Sequence, residues 1–363
     1  MKVMLVNTRP DWGGGEHWFL WAAEAIAGLA HDVTLIATRA SGLASRSASG
    51  PLRVLFASRS LPLFLSLRKS FRETRPDIVL CNTGGETHAA VIARGRRPTP
   101  KVIFRRGLCK QVHANFIQSL LYRGVNGFIC NSLATASLLR ESLPWLPAEE
   151  PTVLYNPAHI LRDPAPEDVA SCRRRIGVSE GDLVILNVGR LAPEKGQVIL
   201  VRAFGELLKQ QPNARLIIAG EGPLHSRIER AARDINIADK VVLCGFVRDV
   251  APLYRLADMV VQPSLPGHES FSNSALEALS FGLPVIASTA GGFAELIRDG
   301  EDGLLVPHGQ VEPLAEAMAR LASDRQLRLD IGRAAKAKVA RLYSPTQKAA
   351  ELEAYLAQVL VHS

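Results

Sequence analysis

The sequence predicts an α/β protein made of two doubly wound domains, each a parallel sheet covered by helices on both faces. Three observations predict it. Short apolar runs alternate with helical patterns along both halves of the chain. The alternation breaks once, around Pro157 to Gly181, and then begins again. The 363 residues are enough for two ordinary domains with sizeable cores.

The elements follow in order. Lys2–Asn7 (KVMLVN) reads as a short buried strand, Thr8–Gly15 (TRPDWGGG) as a loop and Glu16–Leu29 as a helix. Asp32–Thr38 (DVTLIAT) is the next strand. Further strands are expected at Arg53–Ala57, Asp77–Asn82, Lys101–Arg105, Gly127–Asn131 and Thr152–Asn156. Helices are expected at Pro62–Thr74, Glu86–Arg96, His113–Arg123 and Ser132–Leu143. Short apolar strands alternating with helices mean a parallel sheet buried on both faces. Pro157–Gly181 is polar, holds Pro164 and Pro166, and includes the basic run Arg173–Arg175, so it reads as a linker. The boundary is set at 165/166, giving domains 1–165 and 166–345. The second series of strands is Leu183–Gly189, Arg215–Gly220, Lys240–Gly245, Asp258–Gln262, Pro284–Ser288 and Gly303–Val306. The last helix, Thr346–Val361, has no strand after it; it either caps the second domain or packs back on the first.

Composition narrows the function. Nearly half the residues are hydrophobic and about a fifth are charged, which is ordinary for a globular protein. Met1–Asn7 is too short for a signal peptide, and no run approaches the roughly 20 apolar residues of a membrane span. The five cysteines are scattered, with no metal-ligand spacing, so a reducing, cytoplasmic setting is expected. The net charge of +8 is uneven: residues 1–165 carry 20 Lys and Arg against 11 Asp and Glu, and the remainder 23 against 24. A basic first half suits an acidic partner there: nucleic acid, anionic lipid or a phosphorylated acceptor, beside the plain alternative of a soluble basic surface. Leu61–Arg75 (LPLFLSLRKSFRETR) places Leu63, Phe64, Leu67 and Phe71 on one stripe and Arg68, Lys69, Arg72 and Arg75 elsewhere. That pattern fits an interfacial helix at an anionic membrane face, or an ordinary helix covering a sheet.

The richest stretch is Pro263–Gly292, PSLPGHESFSNSALEALSFGLPVIASTAGG. Glu269 falls in a turn-rich loop and Glu277 on the helix after it, with an apolar strand and a Gly-Gly turn beyond. Leu265–Ser274 has few large apolar residues and is expected outside the core. Free N–H groups at a helix start favour an anion and carboxylates favour hydroxyls, a pairing that suits a nucleotide sugar. Gly189-Arg190 ends the first strand of the second domain, and Lys195-Gly196 follows; a fork of donors and a point charge at a sheet's carboxyl end suit a diphosphate. Gly13-Gly14-Gly15 lets backbone approach a phosphate or sugar but lacks the spacing of a dinucleotide fingerprint. Asn82–Gly85 is another loop at a strand end. Arg105-Arg106-Gly107 ends the fourth strand and is expected to form an anion-facing wall or a solvated pair. No D-x-D, H-x-x-H or Walker loop is present.

With these residues in place, the chain resembles the retaining glycosyltransferases of family 4, which have the GT-B fold. The resemblance rests on GRLAPEKG (189–196), LIIAGEGP (216–223), VVLCGFV (241–247), the Glu269 and Glu277 pair with EALSFGLPVIAS, GGFAEL (291–296) and DGLLVP (302–307). In the first half it is looser, resting on the glycine loop and Tyr155-Asn156-Pro157. The resemblance implies two Rossmann-like domains facing each other across a cleft. It implies that Arg190 and Lys195 bind the donor diphosphate, next to Gly189. Glu277 holds the ribose, and Glu269 holds the sugar with backbone N–H groups of Ser270, Phe271 and Ser272. Gly245, Phe246 and Val247 lie near the base. Gly13–Gly15, Arg105 and Arg106 belong to an acceptor or phosphate loop. It implies transfer with retention, no metal and no cofactor, from a nucleotide-diphosphate sugar to a glycan or lipid-linked acceptor in cell-envelope polysaccharide or lipopolysaccharide synthesis. The enzyme would be cytoplasmic, at the inner membrane face if at any membrane, with no nucleic acid partner. Two departures bear on the sugar: Ser270 and Ser272 replace the family's glycines, and Phe104-Arg105-Arg106-Gly107 stands where many members carry a His. A GT-B phosphorylase, a nucleotide-sugar epimerase, and a non-catalytic sugar- or nucleic-acid-binding protein remain the alternatives.

Overall fold

The structure, a computed structural model, describes residues 1–47, 52–57, 62–113, 115–147, 150–159, 161–267 and 269–361. The chain divides into two compact units, Met1–Pro157 with Pro345–Ser363, and Ala158–Ser344.

Unit 1 runs β1 (Lys2–Val6), α1 (Gly14–Gly28), β2 (Asp32–Ala37), α2 (Gly42–Ser47), β3 (Arg53–Phe56), α3 (Leu63–Thr74), β4 (Ile78–Cys81), α4 (Gly84–Arg94), β5 (Lys101–Arg106), α5 (Phe116–Tyr122), β6 (Gly127–Cys130), α6 (Leu133–Ser142) and β7 (Thr152–Val153). Its sheet is parallel, in the order β3-β2-β1-β4-β5-β6-β7. The central strands read as unbroken apolar runs because both faces are covered; β4 and β6 are buried at every position. The order reverses between β1 and β4, so the loops after these strands diverge and leave a crevice at the sheet's carboxyl edge. Gly13–Gly15 and the expected loop Asn82–Gly85 both run into helices there, with Gly13 and Thr83 at the caps. A capping box between Thr83 and Glu86 fixes the start of α4.

The expected interfacial stripe is already occupied. On α3, Leu67 and Phe71 are buried in a core with Ile36, Val79 and Val102, and Leu63 and Phe64 pack against it. Leu61 lies outside the described residues. The apolar stripe therefore covers the sheet, and Arg68, Lys69, Arg72 and the neighbouring Leu65 face water.

Unit 2 begins with a helix where a linker was expected. α7 (Pro166–Ile176) has Pro166 in its first turn, Glu167 and Asp168 beside it, Arg173–Arg175 in its last turn, and Gly177 in the left-handed region at its end. Each of these suits a helix terminus. The division also falls before 165/166, because the strap after Pro157 is fastened to unit 2. The Ala158 N–H donates to the Tyr343 carbonyl at 2.7 Å, and Arg255 pairs with Asp163.

The unit continues with β8 (Leu183–Val188), α8 (Gln197–Leu208), β9 (Ala214–Ala219), α9 (His225–Asp234), β10 (Val241–Leu243), α10 (Ala251–Leu256), β11 (Met259–Gln262), α11 (Asn273–Ser280), β12 (Val285–Ser288), α12 (Phe293–Leu296), β13 (Leu304–Val306), α13 (Val311–Ser323) and α14 (Arg325–Leu342). Its parallel sheet has the order β10-β9-β8-β11-β12-β13 and reverses between β8 and β11.

The last helix, α15 (Pro345–Val361), belongs to unit 1. Leu352, Tyr355, Leu356 and Val359 join the core formed by β1, β2 and α1. His31 pairs with Glu353 at 2.7 Å. No helix among the described residues is long and apolar enough to cross a membrane.

Candidate functional site

The loops that leave β8 and β11 meet at the switch point of unit 2, where an open α/β sheet presents a ligand crevice. Gly189 and Arg190 follow β8, and Pro193–Lys195 form one 3₁₀ turn. Gly196 then takes φ +69°; any Cβ there would lie 2.0 Å from the Pro263 carbonyl oxygen, so the two loops can close only on glycine. The Leu265 N–H donates to the Glu194 carbonyl at 2.8 Å.

The two loops are joined by charge. Lys195 Nζ donates to Glu269 Oε2 at 2.5 Å, and the Ser264 hydroxyl donates to the same oxygen at 3.0 Å. Arg190 pairs with Glu194 and leaves most of its side chain in water. Both expected cations are thus paired with carboxylates.

Leu265–Ser274 was expected outside the core; Pro266 and Gly267 are exposed, but the four residues from Glu269 on are buried. Glu269, Ser270, Phe271 and Ser272 are all at most 9 % exposed. Small polar residues bury here because they satisfy one another. The Ser272 hydroxyl caps α11 by accepting from the Ala275 N–H at 3.3 Å, and the Gln262 amide donates to both the Val188 carbonyl and the Ser274 hydroxyl at 3.1 Å. The Gly-Gly turn seats beneath Glu269: a Cβ on Gly291, at φ +57°, would lie 1.7 Å from the Glu269 carbonyl oxygen.

Glu277 sits on α11 with its side chain mostly buried. The Tyr254 hydroxyl, on α10, lies 3.0 Å from Glu277 Oε2 and 3.1 Å from the Ser274 carbonyl oxygen, so its single proton is shared between two acceptors. Burial, with Glu277 beside it, holds this phenol well above its ordinary pKa and keeps it a donor. His159 Nδ1 lies 3.5 Å from the other carboxylate oxygen. Tyr254 and His159 carried no motif and escaped sequence reasoning.

Gly245 has φ +65° and its carbonyl accepts from the Gly220 N–H at 2.8 Å. Phe246 is exposed. Phe246 and Val247 line a cavity of about 660 Å³ with Cys172, Arg175, Cys244 and Pro252.

Unit 1 has its own polar crevice. Glu16 is buried just after the triglycine, accepting from the Asn7 and Asn82 amides at 3.3 and 3.4 Å. Glu86 accepts from the Thr8 N–H at 2.6 Å and its hydroxyl at 2.8 Å. Glu86 also accepts from the Asn82 and Thr83 N–H groups at 3.1 and 2.9 Å, so this carboxylate is fully used in holding the loops together.

Arg105 is not part of an anion-facing wall, nor is it solvated. Consecutive strand residues point to opposite faces, and Arg105 points inward, 2 % exposed and stacked 4.5 Å over Trp18. It donates to Asn156 Oδ1 at 3.0 Å, and burial lowers its pKa to about 10. Arg106 turns the other way and donates to the Lys110 carbonyl at 2.7 Å.

Residues 169–338 match the family described as glycosyl transferases group 1, and residues 12–160 match glycosyltransferase family 4. The chain belongs to this glycosyltransferase family. Its likeness to an uncharacterized glycosyltransferase of Methanocaldococcus jannaschii is 34 % identity over 223 residues, 59 % of this chain and 56 % of that one. A D-inositol 3-phosphate glycosyltransferase of Kribbella flavida is 37 % identical over 193 residues, 50 % of this chain and 45 % of that one. The chain thus spans about half the length of these curated relatives. Among solved structures, Alr3699/HepE of Anabaena, crystallised with UDP, aligns with a TM-score of 0.84 at 22 % identity, over 99 % of this chain and all of that one. A glycosyltransferase from Rickettsia africae aligns at 0.86 and 18 % identity, over all of this chain and 99 % of that one. The shared fold is GT-B.

Proposed function

We propose that this chain transfers a sugar from a nucleotide-diphosphate donor to a hydroxyl of a glycan or lipid-linked acceptor, with retention of configuration and without a metal. The observation that carries this reading is the Lys195–Glu269–Ser264 cluster at the switch point of unit 2, with Glu277 held on the next helix. Relatives of the same fold have been crystallised with UDP and with UDP-glucose, which supports a nucleotide-sugar donor here.

In this reading Arg190 and Lys195 stabilise charge as it grows on the leaving diphosphate. Glu277 takes the ribose hydroxyls, Glu269 and the N–H groups of Ser270–Ser272 take the sugar, and the cavity beside Gly245–Val247 takes the base. The acceptor hydroxyl attacks from the face the diphosphate leaves, and its proton passes to that phosphate. Glu16, behind the glycine loop of unit 1, suits an acceptor hydroxyl. The role extends to cell-envelope polysaccharide or lipopolysaccharide synthesis, in the cytoplasm.

The test is thermal shift against a panel of nucleotide sugars, since a ligand that binds only the native state raises apparent stability. It is followed by product analysis on the donor that binds. A stabilising donor that is turned over to an α- or β-glycoside of unchanged configuration supports the reading. Inversion, release of sugar phosphate only with free phosphate, or no binding by any member of the panel would reject it.

A further inference from the structure

Helix α5 is amphipathic in reverse. At about 100° per residue, Phe116, Leu120 and Ile117 share one arc, and Tyr122 faces the opposite way. Tyr122 is buried, its ring 4.5 Å from His88 and 5.6 Å from Phe104. Gln118 and Ser119 are half-buried, yet Phe116 is 85 % exposed, Ile117 67 % and Leu120 60 %. A helix on a sheet ordinarily turns its apolar arc inward. Three large apolar side chains in water on adjacent turns mark a contact surface.

The charge around this arc identifies what it contacts. Between Glu86 and Glu141 the chain has no Asp or Glu and has nine Lys and Arg, of which Arg105 is buried. Lys110 and His113 precede α5, and Arg123 follows it; all three are exposed. Arg96 and Arg97, also exposed, follow α4, the helix that packs on α5. A second copy of this chain would bring like charges together. An anionic bilayer fits both features at once, because apolar side chains enter below the headgroups while cations stay among the phosphates.

We propose that α5 and its basic surroundings are a docking surface for an anionic lipid bilayer. The surface replaces α3, whose apolar stripe is buried in unit 1. It deepens the reading of a lipid-linked acceptor but is separable from it, since docking needs neither donor nor turnover. Two weak signals, one apolar and one electrostatic, give reversible attachment that salt loosens.

The experiment is flotation of the full chain with phosphatidylcholine vesicles, with and without phosphatidylglycerol. The wild type is expected to float with phosphatidylglycerol vesicles at low salt and to be released at high salt or on phosphatidylcholine alone. Phe116→Ser/Ile117→Ser/Leu120→Ser should lower partitioning by about 30-fold, from the apolar area withdrawn. Lys110→Glu/Arg123→Glu should lower it by about 10-fold or more, while Lys69→Glu on α3 changes it several-fold less. Each variant alters exposed side chains, and a thermal melt matching the wild type confirms that it folds. A wild type that stays at the bottom of the gradient at low salt overturns the proposal. So does a triple variant that floats like the wild type. Light scattering that shows a wild-type dimer and a monomeric triple variant, without flotation, assigns the patch to a second copy instead. Loss of flotation with unchanged turnover on a soluble acceptor would leave the transfer reading standing and confirm that the two are separate.

Discussion

Replacing Lys195 with Met removes the cation that joins the β8 and β11 loops. Glu269 keeps only 9 % of its side chain exposed, and Lys195 keeps 23 %. Removing one partner of a buried pair costs about 3–5 kcal/mol, because the other charge is left uncompensated. Here Lys195 reaches water and Ser264 still donates to the same oxygen, so a smaller loss of about 2–3 kcal/mol is expected. In a domain of this size that is a fall of about 5–10 °C in Tm. Turnover should fall by about 10²-fold if the same cation stabilises the leaving diphosphate. The two effects separate in the double variant Lys195→Met/Glu269→Gln, which removes both charges: stability should largely return, and turnover should not. The assay is a thermal melt by circular dichroism beside steady-state kinetics for the wild type, both single variants and the double. If Lys195→Met melts within about 0.5 kcal/mol of the wild type, solvent already screens the pair and the burial argument fails. Normal turnover in that variant would remove Lys195 from the mechanism.

Tyr254→Phe should raise the donor KM by about 10-fold with kcat nearly kept, because Glu277 loses a donor that fixes its carboxylate; an unchanged KM would show that α11 alone holds Glu277 in place. Glu277→Gln should mainly weaken donor binding and Glu269→Gln should mainly lower turnover, and equal losses in both kinetic constants would count against separate roles. Activity should survive excess EDTA, since no D-x-D loop is present to hold a divalent ion on the diphosphate; loss restored by Mg²⁺ would contradict this. Burial pushes the Cys130 thiol up to about 12, so little thiolate exists near neutral pH. Mass spectrometry after brief iodoacetamide treatment should find Cys130 unlabelled in the native protein, and early labelling would show that unit 1 opens.

Much of the fold was legible because buried parallel strands leave a simple trace. IVLC in β4 and VIAS in β12 have no polar alternation, and glycine or proline punctuates both. What failed did so where polar residues are buried. Leu265–Ser274 read as outside the core because most of its residues are small or polar, but Glu269–Ser272 are buried, with Glu269 held by Lys195 and Ser264. Arg105 looked like a ligand for anions because its charge is visible in sequence and Trp18 beneath it is not. α7 was missed for the opposite reason: Pro166, Glu167, Asp168 and Gly177 are all helix-end signals, outweighed by a low apolar content. Tyr254 is a tyrosine in a short helix, and nothing in its spacing says that its hydroxyl meets a carboxylate from α11.

The place of α15 sets an order of events during synthesis. Unit 2 is one continuous stretch, and the whole of its sheet is translated before α15. Unit 1 begins before unit 2 but is incomplete until α15 is made, when Leu352, Tyr355, Leu356 and Val359 arrive to cover β1 and β2. Until then Val3, Leu5, Val33 and Leu35 lack part of their cover, and such transient apolar surface invites wrong partners. Unit 1, whose strands are translated before those of unit 2, therefore closes only after all of unit 2 has been translated, and a released chain cut before residue 345 keeps the whole of unit 2 beside an open unit 1.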